Sequence, residues 1–599
     1  MHRFIAATAA FALIATPLAA RSVPDMSAPL PPALPWHGAS EGLIVAPSDP
    51  WITPSEAGSF ATTPTYAETR AWIDRLVAAS PLLHIEPFGV TAQGRELYAV
   101  RASKPGGGPK PVLLAQAGIH SGEIDGKDAG LMLLRDIALR GKDGLLDHAD
   151  LLFVPIFNAD GHERSSPFNR PNQRGPRNQG WRTTAQNLNL NRDYVKADTP
   201  EMKAMLALIQ RMKPALYLDL HVTDGSDYQY DITFNFVGWN GRYAHSRAIG
   251  RWLDQRYRPA VTAALARMGH IPGGYVDVLD GREPDKGITL GADQPRYSTG
   301  YGDLARIPTV LVETHSLKPY RQRVLGTYVL LEESLRLVGS EGPRIAAAIA
   351  ADRAARPRTE TLSWKAEDKP YVVIPDFKGV AHDSYTSPAS GGNEIRWLGR
   401  PVTQAMPLYG EAPDKIVTLP AAWWVPVTKP EVIASLKLHG IVFETIAVSR
   451  KMTLDMVRLS DPKLGRADEG HIPLTAGAYV HAVRTESFPA GSVRVTSDQP
   501  LGLLAAAMLE PESPDSLLAW NFYPEILMRT EYIEGYVIAP LADRMLAADP
   551  KLRAEFNAKL KADPKFAADP DARLAWFYQR TLYYDDRYLL YPVGRELKR

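Results

Sequence analysis

The sequence contains no cysteine among its 599 residues. This absence excludes disulfide bonds, a catalytic thiol, thiolate metal ligands and attachment through a lipidated N-terminal cysteine. A chain of this length buries enough apolar surface to be stable without disulfides, and it is too long for a single hydrophobic core. We therefore expect two or three domains.

The sequence also lacks an excess of charge of either sign. Lys and Arg together number 68, Asp and Glu number 67, and the formal net charge is +1. Proteins that bind nucleic acid or an anionic membrane surface usually carry a basic surplus. We expect neither partner, and the balance favours a small or peptidic substrate.

Long apolar runs are absent except at the N-terminus. There, basic residues precede an apolar run from Phe4 to Ala20 that ends in small residues. This order predicts that residues 1–20 are a signal peptide and that the protein is exported, to the periplasm or the medium. The alternative is an uncleaved anchor, but the run is at the lower length limit for spanning and alanine-rich runs insert weakly. We expect no stable membrane insertion after signal cleavage.

Apolar runs alternate with helical patterns between residues 61 and 345, after a Pro-rich leader over 21–60. Four continuous runs are VLLAQA (112–117), LLFVPIF (151–157), ALYLDL (215–220) and TVLVET (309–314). Continuous apolar strands separated by helices are typical of sheets buried on both faces. We predict an α/β domain with a mixed, largely parallel sheet and helices on both faces.

The pattern changes after a predicted linker over residues 346–368. Residues 369–535 contain short strand-like runs, including YVVI (371–374), which predict a β-rich accessory domain. Residues 536–599 predict a helical C-terminal segment. The accessory domain is interpreted as a structural support, a lid or a wall- or glycan-binding attachment. Exposed Trp423 and Trp424 would favour attachment, whereas buried ones would favour support.

Polar residues follow each of the four apolar runs. Ligands of open α/β sheets bind beyond the carboxyl ends of the strands. The polar residues, in chain order, are His120 with Glu123, Asn158 with Asp160, His221, and Glu313.

Each of these residues has an ordinary explanation when taken alone. A single His-x-x-Glu is most often a surface pair, and His221 alone is most often a hydrogen-bonded core histidine. Glu313 is harder to dismiss, because a carboxylate ending a buried strand needs a partner. Together, His120, Glu123 and His221 make the open three-ligand set of catalytic zinc, and a second glutamate nearby acts as general base in such sites. We predict one zinc ion at these three residues.

The motifs that carry these residues resemble those of the zinc metallocarboxypeptidase family, the carboxypeptidase A-like enzymes. The resemblance covers residues 66–335. The matching segments are FGVTAQGRELYAV (88–100), HSGE (120–123), NADG (158–161), GWRTTAQNLNLNRDY (180–194), LDLHVTDG (218–225) and TVLVETHS (309–316).

The resemblance implies a role for each matched residue. His120, Glu123 and His221 are the implied zinc ligands, as the residue chemistry also indicates. Glu313 is the implied general base, and Arg182 the residue that polarises the scissile carbonyl. Two further residues, Asn191 and Arg192, are implied to bind the substrate's terminal carboxylate.

The sequence departs from the family pattern at two positions. The family usually has Asp two residues before the Asn-Arg pair, where it accepts a hydrogen bond from the first zinc histidine, but here the residue is Asn189. The family's substrate-covering Tyr lies about twenty residues before the base, and no Tyr stands there. Tyr297 and Tyr301 are the nearest, and we favour Tyr297.

We compare three possible functions with these motifs. The first is a zinc carboxypeptidase that hydrolyses C-terminal peptide bonds. The second is a zinc amidase or deacylase that acts on acyl-amino acids or cell-wall peptides, since such enzymes share the ligand set and the Asn-Arg pair. The third, a non-catalytic binding protein, predicts a missing ligand or base, yet all are present.

Overall fold

The computed structural model describes residues 29–106 and 108–598. The predicted signal peptide, residues 1–20, lies outside the described residues. Within the described ranges, no helix has the length and apolar character needed to cross a membrane.

The α/β part of the chain contains the following helices and strands. The helices are α1 (Pro54–Ala57), α2 (Tyr66–Ala79), α3 (Asp125–Leu139), α4 (Ala159–Glu163), α5 (Pro200–Met212), α6 (Arg247–Trp252), α7 (Arg258–Arg267), α8 (Ser298–Ala305) and α9 (Tyr320–Ala354). The strands are β1 (Leu83–Val90), β2 (Glu96–Ala102), β3 (Val112–Ala117), β4 (Asp150–Val154), β5 (Leu216–Val222), β6 (Ile232–Asn235), β7 (Pro272–Gly274), β8 (Asp277–Val278), β9 (Ile288–Thr289) and β10 (Thr309–Thr314).

Eight of these strands form one mixed sheet in the order β1-β2-β4-β3-β5-β10-β6-β7. The central strands β4, β3, β5 and β10 are parallel, whereas β1–β2, β2–β4 and β10–β6 are antiparallel pairs. Alternate residues of β3 enter opposite cores: Leu113 packs in one cluster with residues of α3 and α9, and Leu114 in the other with residues of α5. Because both faces are covered, every residue of β3 is buried, which explains its unbroken apolar run. The predicted fold class is confirmed.

The rest of the chain is β-rich and has a helical segment near its C-terminus, as predicted, but a last strand, β20 (Gly594–Glu596), follows these helices. Its strands are β11 (Thr359–Ala366), β12 (Val372–Thr386), β13 (Asn393–Tyr409), β14 (Glu411–Thr418), β15 (Ala422–Val425), β16 (Glu444–Thr445), β17 (Arg450–Leu464), β18 (Leu474–Phe488), β19 (Val493–Thr496) and β20 (Gly594–Glu596). Its helices are α10 (Pro430–Leu438), α11 (Gly502–Leu509), α12 (Gly535–Ala548), α13 (Pro550–Ala562), α14 (Pro564–Ala568) and α15 (Pro570–Tyr578).

The exact domain limits stay predictions. The structure shows, however, that parts of the predicted leader and of the predicted linker pack against other elements. Within the predicted leader, Trp36 Nε1 donates to Gly269 O over 2.8 Å, and buried Glu56 pairs with Arg135 of α3 at 2.6 Å. Within the predicted linker, strand β11 pairs with β14.

The β-rich region shares its core with the α/β domain. Trp423 is fully buried and belongs to the same hydrophobic cluster as Leu190 and Met202 of the α/β domain. Trp424 is also buried, at 1% exposure. These tryptophans stabilise the fold by burial and offer no exposed aromatic surface to a glycan.

Candidate active site

The two predicted metal histidines and Glu123 converge at the carboxyl end of the central strands. His120 Nδ1 lies 3.1 Å from Glu123 Oε1, and His221 Nδ1 lies 3.0 Å from Glu123 Oε2. One ligand atom from each residue lies within 4.8 Å of the others, and all three side chains are buried. His120 and Glu123 are placed by the turn between β3 and α3, and His221 by β5 itself.

Partners behind the rings orient both histidines. His120 Nε2 donates to Asn189 Oδ1 over 3.0 Å, and the backbone N–H of Asn191 donates to the same oxygen over 3.0 Å. His221 Nε2 lies 3.0 Å from Asp219 Oδ2. Because an amide oxygen only accepts, His120 Nε2 carries hydrogen and its Nδ1 lone pair faces the centre. His221 Nδ1 faces the same point, beside Glu123 Oε2.

The electrostatics suit a cation held by these groups. Burial lowers the pKa of His120, which keeps the imidazole neutral. Burial raises the pKa of Glu123, but His120 and the Arg170 guanidinium, 3.0 Å away, outweigh it and hold that pKa well below its usual value. Burial lowers the pKa of His221 as well, but the Asp219 carboxylate outweighs burial and raises that pKa well above its usual value. A neutral imidazole and an ionised carboxylate are the forms that bind metal, so His221 releases a proton when it becomes a ligand. This donor set, with Nδ1 atoms aimed at one point, fits a zinc ion.

Glu313 lies beside the ligands on the neighbouring strand. In the parallel pairing of β10 with β5, Glu313 stands opposite His221, so both side chains point to the same face. Burial raises the pKa of Glu313 to about 8, with His221 lowering it and the Glu123 carboxylate raising it further. Its buried Oε2 has no hydrogen-bond partner among the described residues.

The remaining predicted site residues line the same cavity, which encloses about 360 Å³. Arg182 Nη1 lies 3.3 Å from Glu123 Oε1. The Arg192 guanidinium stacks 4.6 Å from the ring centre of Tyr297, which directly precedes α8. Asn191 lines the cavity too, and its buried Oδ1 has no partner among the described residues.

Three polar residues named by the sequence lie outside the cavity. Tyr301 is buried, and its hydroxyl lies 3.1 Å from His439 Nδ1. Asp160 pairs with Arg95 at 2.7 Å. Asn158 caps α4 and donates through Nδ2 to the backbone oxygen of Arg182 over 3.3 Å, so it positions the segment that carries this arginine.

Residues 69–267 match the family model Peptidase_M14, described as zinc carboxypeptidase. The matched range contains the cluster of His120, Glu123 and His221. This region is a carboxypeptidase A-like domain. The match supports a zinc metallopeptidase, and the central strand β10 with Glu313 lies C-terminal to the matched range.

Solved metallo-carboxypeptidases are similar to a little under half of the chain. A metallo-carboxypeptidase from Burkholderia cenocepacia is 16% identical, with 45% of this chain and 68% of that chain covered and a TM-score of 0.34. One from Pseudomonas aeruginosa is 19% identical, with coverages of 47% and 70% and a TM-score of 0.34. Carboxypeptidase A from Helicoverpa armigera is 19% identical, with coverages of 49% and 75% and a TM-score of 0.33. No curated protein matches the sequence.

Sequence reasoning missed several residues of the carboxypeptidase-like site. Asp219 stands two residues before His221, so strand periodicity, which puts both on one face, was a signal for it. Tyr275 lines the cavity, and the Glu313 carboxylate raises the pKa of its phenol. Buried Arg170 comes from an irregular loop with no local pattern to mark it.

The accessory region supplies one more contact to the carboxypeptidase-like site. In the turn between β17 and β18, Glu469 Oε2 accepts a hydrogen bond from the backbone N–H of Asn189 over 2.7 Å. The Glu469 carboxylate therefore places a negative charge next to Asn189. In the family pattern the Asp at this position carries the negative charge itself. Only the folded chain brings these residues together.

We expect Asn189→Asp to tighten zinc binding by about tenfold, within the usual range for a changed partner of a metal ligand. Both groups that bond to Asn189 Oδ1 are donors, and its Nδ2 donates to no acceptor among the described residues, so a carboxylate loses no bond. The added charge makes His120 a more basic ligand. Competition with a chelator at pH 7 measures the affinity.

Asn187→Asp is the matched control, because it adds the same charge to an exposed position of the same loop. Unchanged or weaker zinc affinity in Asn189→Asp would contradict the assignment of Asn189 as the partner of His120. Repulsion between Asp at position 189 and Glu469 could also weaken zinc binding. The double variant Asn189→Asp with Glu469→Gln removes this repulsion and so tells the two causes apart.

Proposed function

We propose that the protein is an exported zinc carboxypeptidase that hydrolyses C-terminal peptide bonds with one zinc ion. The observation that supports this most is that one cavity is lined by His120, Glu123 and His221, by the buried carboxyl group of Glu313, and by the pair Asn191–Arg192. Export is proposed from the signal-like pattern of residues 1–20.

His120, Glu123 and His221 are the residues that would hold the zinc ion. An ion held by these three ligands would supply Lewis-acid chemistry to a water molecule and to a carbonyl oxygen. Asn189 and Asp219 keep the two imidazole rings in the tautomer that binding requires.

Glu313 is proposed as the general base and then the general acid. Its carboxylate accepts a proton from the attacking water and returns it to the leaving amine. Burial raises the pKa of Glu313, so its carboxylate is a stronger base than an exposed carboxylate. The free Oε2 atom leaves room for that proton.

Arg182 is proposed to stabilise the negative charge that develops on the scissile carbonyl oxygen. Its side chain is 38% exposed and lines the cavity, so its guanidinium can reach a bound substrate. A fixed cation aimed at a developing oxyanion stabilises the transition state more than the ground state.

Arg192 and Asn191 are proposed to bind the terminal carboxylate of the substrate. A guanidinium matches a carboxylate with two parallel hydrogen bonds. The guanidinium of Arg192 stacks on Tyr297, which holds its plane at the cavity wall. Tyr297 is proposed to cover the bound carboxylate.

We expect Arg192→Ala to raise KM strongly for peptides with a free carboxylate, since it removes the two-pronged contact. Amidating a good peptide substrate should damage wild-type cleavage to a similar degree. Arg192→Lys is the matched control, because it keeps the positive charge but cannot form two parallel hydrogen bonds to a carboxylate. Its KM should lie between those of the wild type and Arg192→Ala. Steady-state kinetics with each peptide pair measure these effects.

Equal cleavage of free and amidated peptides by the wild type would contradict the carboxypeptidase proposal. Preference for N-acylated amino acids over longer peptides would point instead to the amidase or deacylase activity.

A further inference from the structure

A second cavity opens beside the active site and is walled by the accessory region. It encloses about 260 Å³. It shares Thr223, Asp224, Tyr275 and Asp277 with the lining of the active-site cavity, so the two spaces are direct neighbours at these residues. We call it the hairpin pocket, because its outer wall is the long hairpin formed by β12 and β13.

The hairpin pocket has an apolar wall. Phe377 and Val380 of β12 and Trp397 and Met406 of β13 line it, together with Ile288 of β9. Apolar walls of this kind bind apolar groups, because the contact removes both surfaces from water. A water molecule takes about 30 Å³ of liquid volume, so the pocket has room for a large side chain.

The hairpin is fixed in place over the active-site edge. The backbone N–H of Gln229 donates to Lys378 O over 2.8 Å, and Gln229 Nε2 donates to Gly379 O and Val402 O over 2.8 and 2.7 Å. Strand β13 also pairs in parallel with β9 of the α/β domain. These contacts hold the hairpin in place, so the pocket is a preformed part of the site.

The position of the hairpin pocket sets which part of a peptide reaches it. It shares none of its lining with Asn191, Arg192 or Tyr297, which line the other part of the active-site cavity. If Arg192 binds the terminal carboxylate, the C-terminal residue lies at that end. The chain on the N-terminal side of the scissile bond then extends toward Thr223 and Tyr275.

We propose that the hairpin pocket binds an aromatic or large aliphatic side chain from one of the two residues that precede the scissile bond. This inference rests on the proposed carboxypeptidase function and names its substrate class: peptides with a large apolar residue next to the C-terminal residue or one position before it. The accessory region is then a specificity-determining part of the enzyme.

Binding to zinc-loaded Glu313→Gln protein tests this inference without turnover. Isothermal titration compares three peptides: acetyl-Gly-Phe-Ala, acetyl-Phe-Gly-Ala and acetyl-Gly-Gly-Ala. We expect at least one Phe peptide to bind at least about tenfold more tightly than the Gly peptide, as apolar pockets discriminate by such factors. Adding Phe377→Ala or Trp397→Ala should remove most of that difference. Tyr385→Ala, an exposed hairpin residue that does not line the pocket, should leave it unchanged.

Equal affinity for all three peptides would overturn the inference, as would a Phe preference that survives both pocket substitutions. Far-ultraviolet circular dichroism checks that each variant is folded. If Phe377→Ala does not fold, Trp397→Ala still tests the pocket, because Trp397 is only half-buried. Failure of the carboxypeptidase function appears separately, as wild-type protein that releases no C-terminal residue from any of these peptides.

Discussion

Glu313→Gln is expected to bind zinc normally and to lose a factor of about 10²–10⁴ in kcat, the usual contribution of a positioned general base. The amide cannot accept the proton from the attacking water. Because Glu313 Oε2 has no hydrogen-bond partner among the described residues, the amide breaks no bond of that oxygen, so the fold should be kept. Steady-state kinetics together with zinc analysis of the same preparation check both halves of this result.

Glu333→Gln is the matched control for this substitution. Glu333 lies on α9, away from the cavity, and pairs with Arg336 at 3.4 Å, so its amide variant should keep full activity. A fully active Glu313→Gln enzyme would show that the base is another residue. Loss of zinc from Glu313→Gln would instead show that Glu313 supports the ligands.

His120→Ala and His221→Ala are expected to lose zinc and activity together. Each variant leaves two protein ligands, one fewer than the three that open catalytic zinc sites use. Mass-spectrometric metal analysis after dialysis should give far less than one zinc per chain in these variants. The wild type, with all three ligands, should hold about one.

His84→Ala is the control for these two variants, because His84 is exposed on β1 and lies outside the cavity. It should retain zinc and activity. Stoichiometric zinc in purified His120→Ala or His221→Ala would contradict the ligand assignment.

The elements predicted best from sequence were those buried on both sides. Strands β3 and β10 begin and end where their apolar runs do, because burial alone dictates these residues. Of the polar residues predicted at the strand ends, His120, Glu123, His221 and Glu313 line one cavity, as the sheet rule predicts. Asn158 and Asp160 lie outside it.

What the sequence did not predict depends on contacts between distant segments. Strand β9 pairs with β13 across more than a hundred residues, and neither has a local pattern that names its partner. The contact of Glu469 with Asn189 has the same origin, since it needs the β17–β18 hairpin to be placed on the α/β domain. Buried Arg170 comes from an irregular loop, where spacing carries no structural period.

Mass analysis of the products from a degenerate mixture of free-carboxylate peptides tests the central claim most directly. The zinc-loaded wild type should release single C-terminal residues and leave peptides shortened by one residue, and Glu313→Gln should do so far more slowly. Internal cleavage, or cleavage of N-acyl amides with no shortening of these peptides, would contradict the account.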